Sequence, residues 1–153
     1  MKWSLSAVFV IAWALWFGGA VATLLFVQRL FNGDRNLALV VAPKLFVTFE
    51  KYQFALACTA VMTLAGVGGR RCYTALVVMM LIAAVTASVS AFVVTPRIEQ
   101  LRIAGAEHTS AFGTFHGLSM LLYLVEVLLL LVAGLLLAMP ASQTPGGAVI
   151  EQC

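Results

Sequence analysis

The chain reads as an all-α membrane protein: a bundle of four transmembrane helices with short loops and a short interfacial helix after the third span. Composition is the first reason. Of 153 residues, 63% are hydrophobic and only 10% charged, and the mean hydropathy is +1.05. That is too little charge to coat a soluble domain of this size. The second reason is the grouping of apolar residues into four runs, each long enough to cross a hydrocarbon core of about 30 Å. The spans are predicted at about 4–28, 46–67, 73–94 and 112–139. Residues 1–139 then form one transmembrane domain. Residues 140–153, with Pro145-Gly146-Gly147, read as a flexible tail.

The first run, Trp3 to Gln28, contains no charged residue. Lys2 and Ala20-Val21-Ala22 imitate a signal peptide, but the run is too long for a signal core and is expected to stay as a helix. Asn32-Gly33-Asp34 signals a turn. Pro43 suits the first turn of the second helix, where its missing N–H goes unused, which puts Lys44, Glu50 and Lys51 at head-group depth. Gly66, Gly68 and Gly69 with Arg70-Arg71 form a tight second loop. The third span is expected to stop before Pro96. Thr95-Pro96 then acts as N-cap and first helical residue of a short amphipathic piece reaching Arg102.

The fourth helix carries the most informative face. At 100° per residue, His116, Ser119, Tyr123 and Glu126 fall within an arc of about 80°. Glu126 lies about 15 Å along the axis from His116, near the middle of the span. An ionised carboxylate is costly there, so Glu126 is expected to be neutral or paired. Its functional reading is a proton or cation relay or a ligand anchor. Its structural reading is a hydrogen bond to Thr86, Ser88 or Ser90 of the third helix, or to another subunit. Small residues at intervals of four suggest packing faces: Ala14, Gly18 and Ala22; Ala55, Thr59 and Thr63; Ala83, Ala87 and Ala91.

Other chemistries lack their residues. No nucleophile–base pair, phosphate loop or dinucleotide fingerprint is present, so enzyme activity is not expected. Lys and Arg are not clustered densely enough for nucleic acid. Cys58, Cys72 and Cys153 form neither a disulfide framework nor a Cys-x-x-Cys pair. His108 and His116, eight residues apart, would be about 12 Å apart on one helix, too far for one metal ion. No metal site or cofactor is predicted; a single axial histidine leaves haem as the one conceivable group. Basic side chains fit the head groups of surrounding lipids.

Short matches line up along the chain: Trp16-Phe17-Gly18-Gly19, Ala42-Pro43-Lys44-Leu45-Phe46, Pro96-Arg97 and Phe115-His116-Gly117-Leu118-Ser119. With these the chain resembles the family of small four-span membrane proteins typified by transmembrane protein 205, a domain of unknown function. The resemblance runs from about Trp13 to Gly134. It implies the four-helix fold and marks Pro43, Pro96, Arg97, His116, Gly117 and Ser119 as positions of interest. It implies no settled enzyme activity. The family tends to carry Asn where this chain has Tyr123, and no family carboxylate corresponds to Glu126.

Three functions are compatible with these features. The first is a non-catalytic accessory or scaffolding subunit, or a self-associating bundle, in a plasma (inner) membrane. The second is an oligomeric transporter or channel for a small ion or solute. The third is a haem- or quinone-linked redox subunit. The region 29–51 and the loop 95–111 hold six Lys and Arg, against three on the opposite side. Excess positive charge marks the cytoplasmic side, which leaves both termini extracytoplasmic.

Overall fold

The structure is a computed structural model describing residues 2–67 and 71–138. Arg70, Cys153 and the 140–153 tail lie outside these residues, as do the side chains of Lys2, Arg71 and Cys72. All described residues except Asp34 and the 104–109 loop are helical. Helices α1 (Lys2–Gly33) and α2 (Arg35–Val67) form an antiparallel hairpin. Helix α3 (Arg71–Val89) runs through a π-helical turn (Ser90–Val94) into α4 (Thr95–Ile103), and α5 (Ser110–Ala138) follows. The four rods close into a ring in which α1 packs on α2, α2 on α3, α3 on α5 and α5 on α1. Three of them, Leu5–Gly33, Thr74–Ile103 and Ser110–Ala138, are long and apolar enough to cross a membrane. The apolar part of α2 is interrupted by Glu50, Lys51 and Gln53.

The distribution of side chains is that of a membrane bundle. Ile11, Leu25, Met62, Val85, Phe92 and Leu135 point outward, whereas Thr23, Gln53, Thr63 and Glu126 are buried. Buried alanines at 12, 20, 57, 60, 83, 87 and 133 let the backbones approach. Trp16, Met80 and Leu130 fill the space between them.

Several expectations are corrected here. The region 29–51 is helical apart from Asp34, so Pro43 lies inside α2 and not at its start. Asp34 is the reason: its Oδ1 accepts from the amides of Asn36 (2.9 Å) and Leu37 (3.1 Å), an N-cap that starts the helix eight residues before Pro43. The third helix likewise does not stop before Pro96. Proline cannot donate to the carbonyl four residues back, and the wide Ser90–Val94 turn, closed by the Thr95 amide on the Ser90 carbonyl, carries the rod past it. Thr95 does not cap α4, which has no side-chain cap. Of the small-residue stripes, Ala83, Ala87 and Thr63 are buried and Ala91 half-buried, whereas Ala14, Gly18, Ala22, Ala55 and Thr59 are exposed. Helix α1 turns a different stripe inward: Phe9, Ala12, Trp16 and Ala20.

Candidate functional site

Three hydrogen bonds set the register of α1 against α5. The Trp13 indole Nε1 donates to the Leu130 carbonyl (2.8 Å). One turn on, Trp16 Nε1 donates to Glu126 Oε1 (2.8 Å), and the Tyr123 hydroxyl donates to the Ala20 carbonyl. The partner residues fall along α5 as they rise along α1, as antiparallel packing requires. Trp16 is 0% exposed and Glu126 1%, so theirs is a wholly interior bond. The indole is a donor only and a carboxylate is an acceptor, so the two match.

Helix α2 and the π-helical turn bring further polar groups to the same layer. Phe46 meets Tyr123 edge to face, with ring centroids 6.0 Å apart, and Phe54 meets Phe92 in the same way at 5.9 Å. Between these contacts lies half-buried Glu50, whose Oε1 accepts from Thr95 Oγ1 at 2.6 Å. Ser90, on the same π-helical turn, lies close to this carboxyl. Glu50 lies one turn after Phe46 on α2 and Glu126 one turn after Tyr123 on α5, so the Phe46–Tyr123 contact brings the two acids to the same level of the bundle. Gln53 follows one turn after Glu50; it is buried, and its Oε1 accepts no hydrogen bond. Trp16, Glu50, Gln53, Thr95, Tyr123 and Glu126 thus draw on all four rods. Among the described residues, no Lys, Arg or His forms an ion pair with either carboxylate.

The predicted polar face of α5 is only partly interior. Glu126 is buried and Tyr123 and Ser119 are half-buried, but His116 is exposed and stacks on Phe112 with ring centroids 6.0 Å apart. None of the expected third-helix partners bonds Glu126: Thr86 donates to the Ile82 and Ala83 carbonyls, Ser88 to that of Ala84, and Ser90 lies beside Glu50. Trp16 takes their place because no backbone acceptor on its own helix competes for an indole N–H. Pro43 is half-buried, while Pro96, Arg97 and Gly117 are exposed. Arg97 bonds Gln100 (3.2 Å), and Glu99 pairs with Arg102 (2.7 Å), so neither is tied to His116. Arg97 and Gln100 line an open cleft of about 300 Å³ with Leu101, Ala111 and Phe115.

Sequence reasoning missed Glu50, Gln53 and Trp16. A signal for the first two existed: Glu50, Gln53, Ala57, Ala60 and Leu64 recur every three or four residues, a single helix face. Among the described residues, no three His, Cys, Asp or Glu side chains converge to hold a metal ion. Compared with protein-family models, curated proteins and solved structures, the chain matches none.

Proposed function

We propose that this is a four-span membrane protein, of the family typified by transmembrane protein 205, that moves protons or another small cation across its membrane through the interior layer. One observation carries this reading: two carboxylates on different helices, buried Glu126 and half-buried Glu50, each lie within a turn of the Phe46–Tyr123 contact that joins α2 to α5, with no basic side chain bonded to them among the described residues. A lone intramembrane carboxylate makes a poor relay, because a proton or ion leaving it has nowhere to go. A second acid on a facing helix supplies the next station. The π-helical turn supports the reading as well, since such turns cluster at functional sites and this one delivers Ser90 and Thr95 to Glu50. Purified protein in liposomes should dissipate an imposed proton or sodium gradient faster than empty liposomes do. Equal leak rates for both cations would remove transport as the function.

The second reading, a self-associating or accessory bundle, is favoured by the exposed Ala14, Gly18 and Ala22 face of α1, where another helix could approach closely. It takes first place if the liposomes are tight and the purified protein is a stable oligomer.

For orientation, the excess of Lys and Arg in 29–51 and 95–111, six against three, favours a cytoplasmic position for these regions and an extracytoplasmic one for both termini. In a variant lacking Cys58 and Cys72, an impermeant thiol reagent should label Cys153 on intact cells. Labelling only after lysis reverses the orientation.

A further inference from the structure

We propose that Glu50 and Gln53 form a binding site for one monovalent metal cation of the sodium type, and that a proton competes with it there. The inference names the ligand of the layer whose transport role is proposed above. It stands on binding, so it can survive or fail separately.

The starting observation is the Gln53 carbonyl oxygen. The residue is 2% exposed, and this oxygen has no hydrogen-bond partner. A buried acceptor left bare is rare and calls for a donor, a water or a cation. Gln53 follows Glu50 by three residues on α2, so the two side chains leave the same helix face about 5–6 Å apart at Cβ. Glu50 is itself flanked by oxygen. Thr95 Oγ1 lies 2.6 Å from Oε1, and the Ser90 hydroxyl comes from the same turn close by. Carboxylate, amide carbonyl and two hydroxyls make an all-oxygen set, the kind that hard cations prefer over soft ones.

Charge selects a monovalent ion. Glu50 brings a single negative charge, and its other neighbours in the set are neutral, so a singly charged cation leaves the cluster balanced. A divalent ion would leave an uncompensated charge in a low-dielectric interior unless Glu126, held by Trp16, also joined the set. On α5, Tyr123 meets α2 at Phe46, one turn before Glu50, and Glu126 follows it by one turn; each already has a partner, in the Ala20 carbonyl and Trp16. The groups presented by α1 and by the α3–α4 rod, namely Trp16, Ser90 and Thr95, do not titrate.

The same geometry explains the competition. A protonated Glu50 can donate its O–H to the Gln53 carbonyl, which satisfies the bare acceptor without metal. A sodium ion satisfies it by bridging the carboxylate and the carbonyl. The two cannot occupy the site together.

The test is the melting temperature of purified protein in detergent, titrated with sodium chloride against choline chloride at equal ionic strength. Sodium should raise the melting temperature and choline should not. The half-saturating sodium concentration should climb about tenfold for each unit by which the pH falls, once Glu50 is mostly protonated in the sodium-free protein. Gln53→Leu should fold and lose the sodium effect. Should it fail to fold, Glu50→Gln, which keeps a donor for Gln53, must show the same loss. Identical curves in sodium and choline at every pH overturn the site, as does a full sodium shift in Gln53→Leu or a half-saturation point independent of pH. Sodium stabilisation in a protein that conducts nothing keeps this site and removes the transport reading. Proton flux without any sodium effect does the reverse.

Discussion

Replacing Glu126 by Gln is expected to reduce cation flux to the leak of empty liposomes while leaving the melting temperature nearly unchanged. The carboxylate accepts from Trp16 Nε1 at 2.8 Å, and the Gln side chain offers a carbonyl oxygen of the same reach. The interior bond therefore survives. What disappears is the ability to gain and lose charge, on which the proposed transport depends. Glu126→Ala is a poorer probe. It leaves the Trp16 N–H bare at a 0% exposed position, which typically costs about 1–3 kcal/mol, so lost flux would be confounded with lost structure. Full flux in a folded Glu126→Gln protein would move the pathway elsewhere. Partial flux would place the essential step at Glu50.

The helical rods were legible because long uncharged runs leave a chain no other way to satisfy its backbone in lipid. Glu126 stood out for the same reason, as the only charge in its span. How each rod turns about its own axis was not legible. On α1, Ala12, Trp16 and Ala20 form one stripe and Ala14, Gly18 and Ala22 another, both spaced by four. In a soluble helix, polar residues would mark the outward side. Here lipid and core are equally apolar, and the choice falls to long-range hydrogen bonds, above all the buried one from the Trp16 indole to Glu126. That pairing spans 110 residues and has no local trace.

The second helix was misread for a different reason. Pro43 and the charges at Lys44, Glu50 and Lys51 resemble a helix start at the head groups, so Glu50 was placed at the surface. The Asp34 cap begins α2 earlier. With the helix already running, Glu50 and Gln53 fall on the face that continues as Ala57, Ala60 and Leu64. Half of the candidate site therefore depended on one capping aspartate, whose influence reaches sixteen residues along the chain to Glu50.

Gly134→Ala is expected to lower the melting temperature clearly, and Gly134→Val to prevent assembly of the bundle. A Cβ at residue 134 would overlap the six-membered ring of Trp13. That ring cannot simply move aside. Its Nε1 donates to the Leu130 carbonyl at 2.8 Å, and its face stacks on Phe17, with centroids 5.9 Å apart and planes 4° from parallel. Leu130 is the residue four before Gly134, so the indole lies across the turn of α5 that the glycine completes. Displacing it breaks the bond and the stack together. Overpacking of this kind costs about 1–3 kcal/mol, which exceeds the gain of up to about 1 kcal/mol from replacing a helical glycine by alanine. Gly18 provides the control: it lies inside α1, and a Cβ there meets nothing within 4 Å. Gly18→Ala should therefore be neutral or slightly stabilising in the same melt. If crowding against Trp13 is the cause, shrinking that ring in a Trp13→Leu, Gly134→Ala double variant should recover much of the loss. Equal melting temperatures for Gly134→Ala and Gly18→Ala would show that α1 and α5 do not meet at this turn, and the register that brings Trp16 to Glu126 would fall with it.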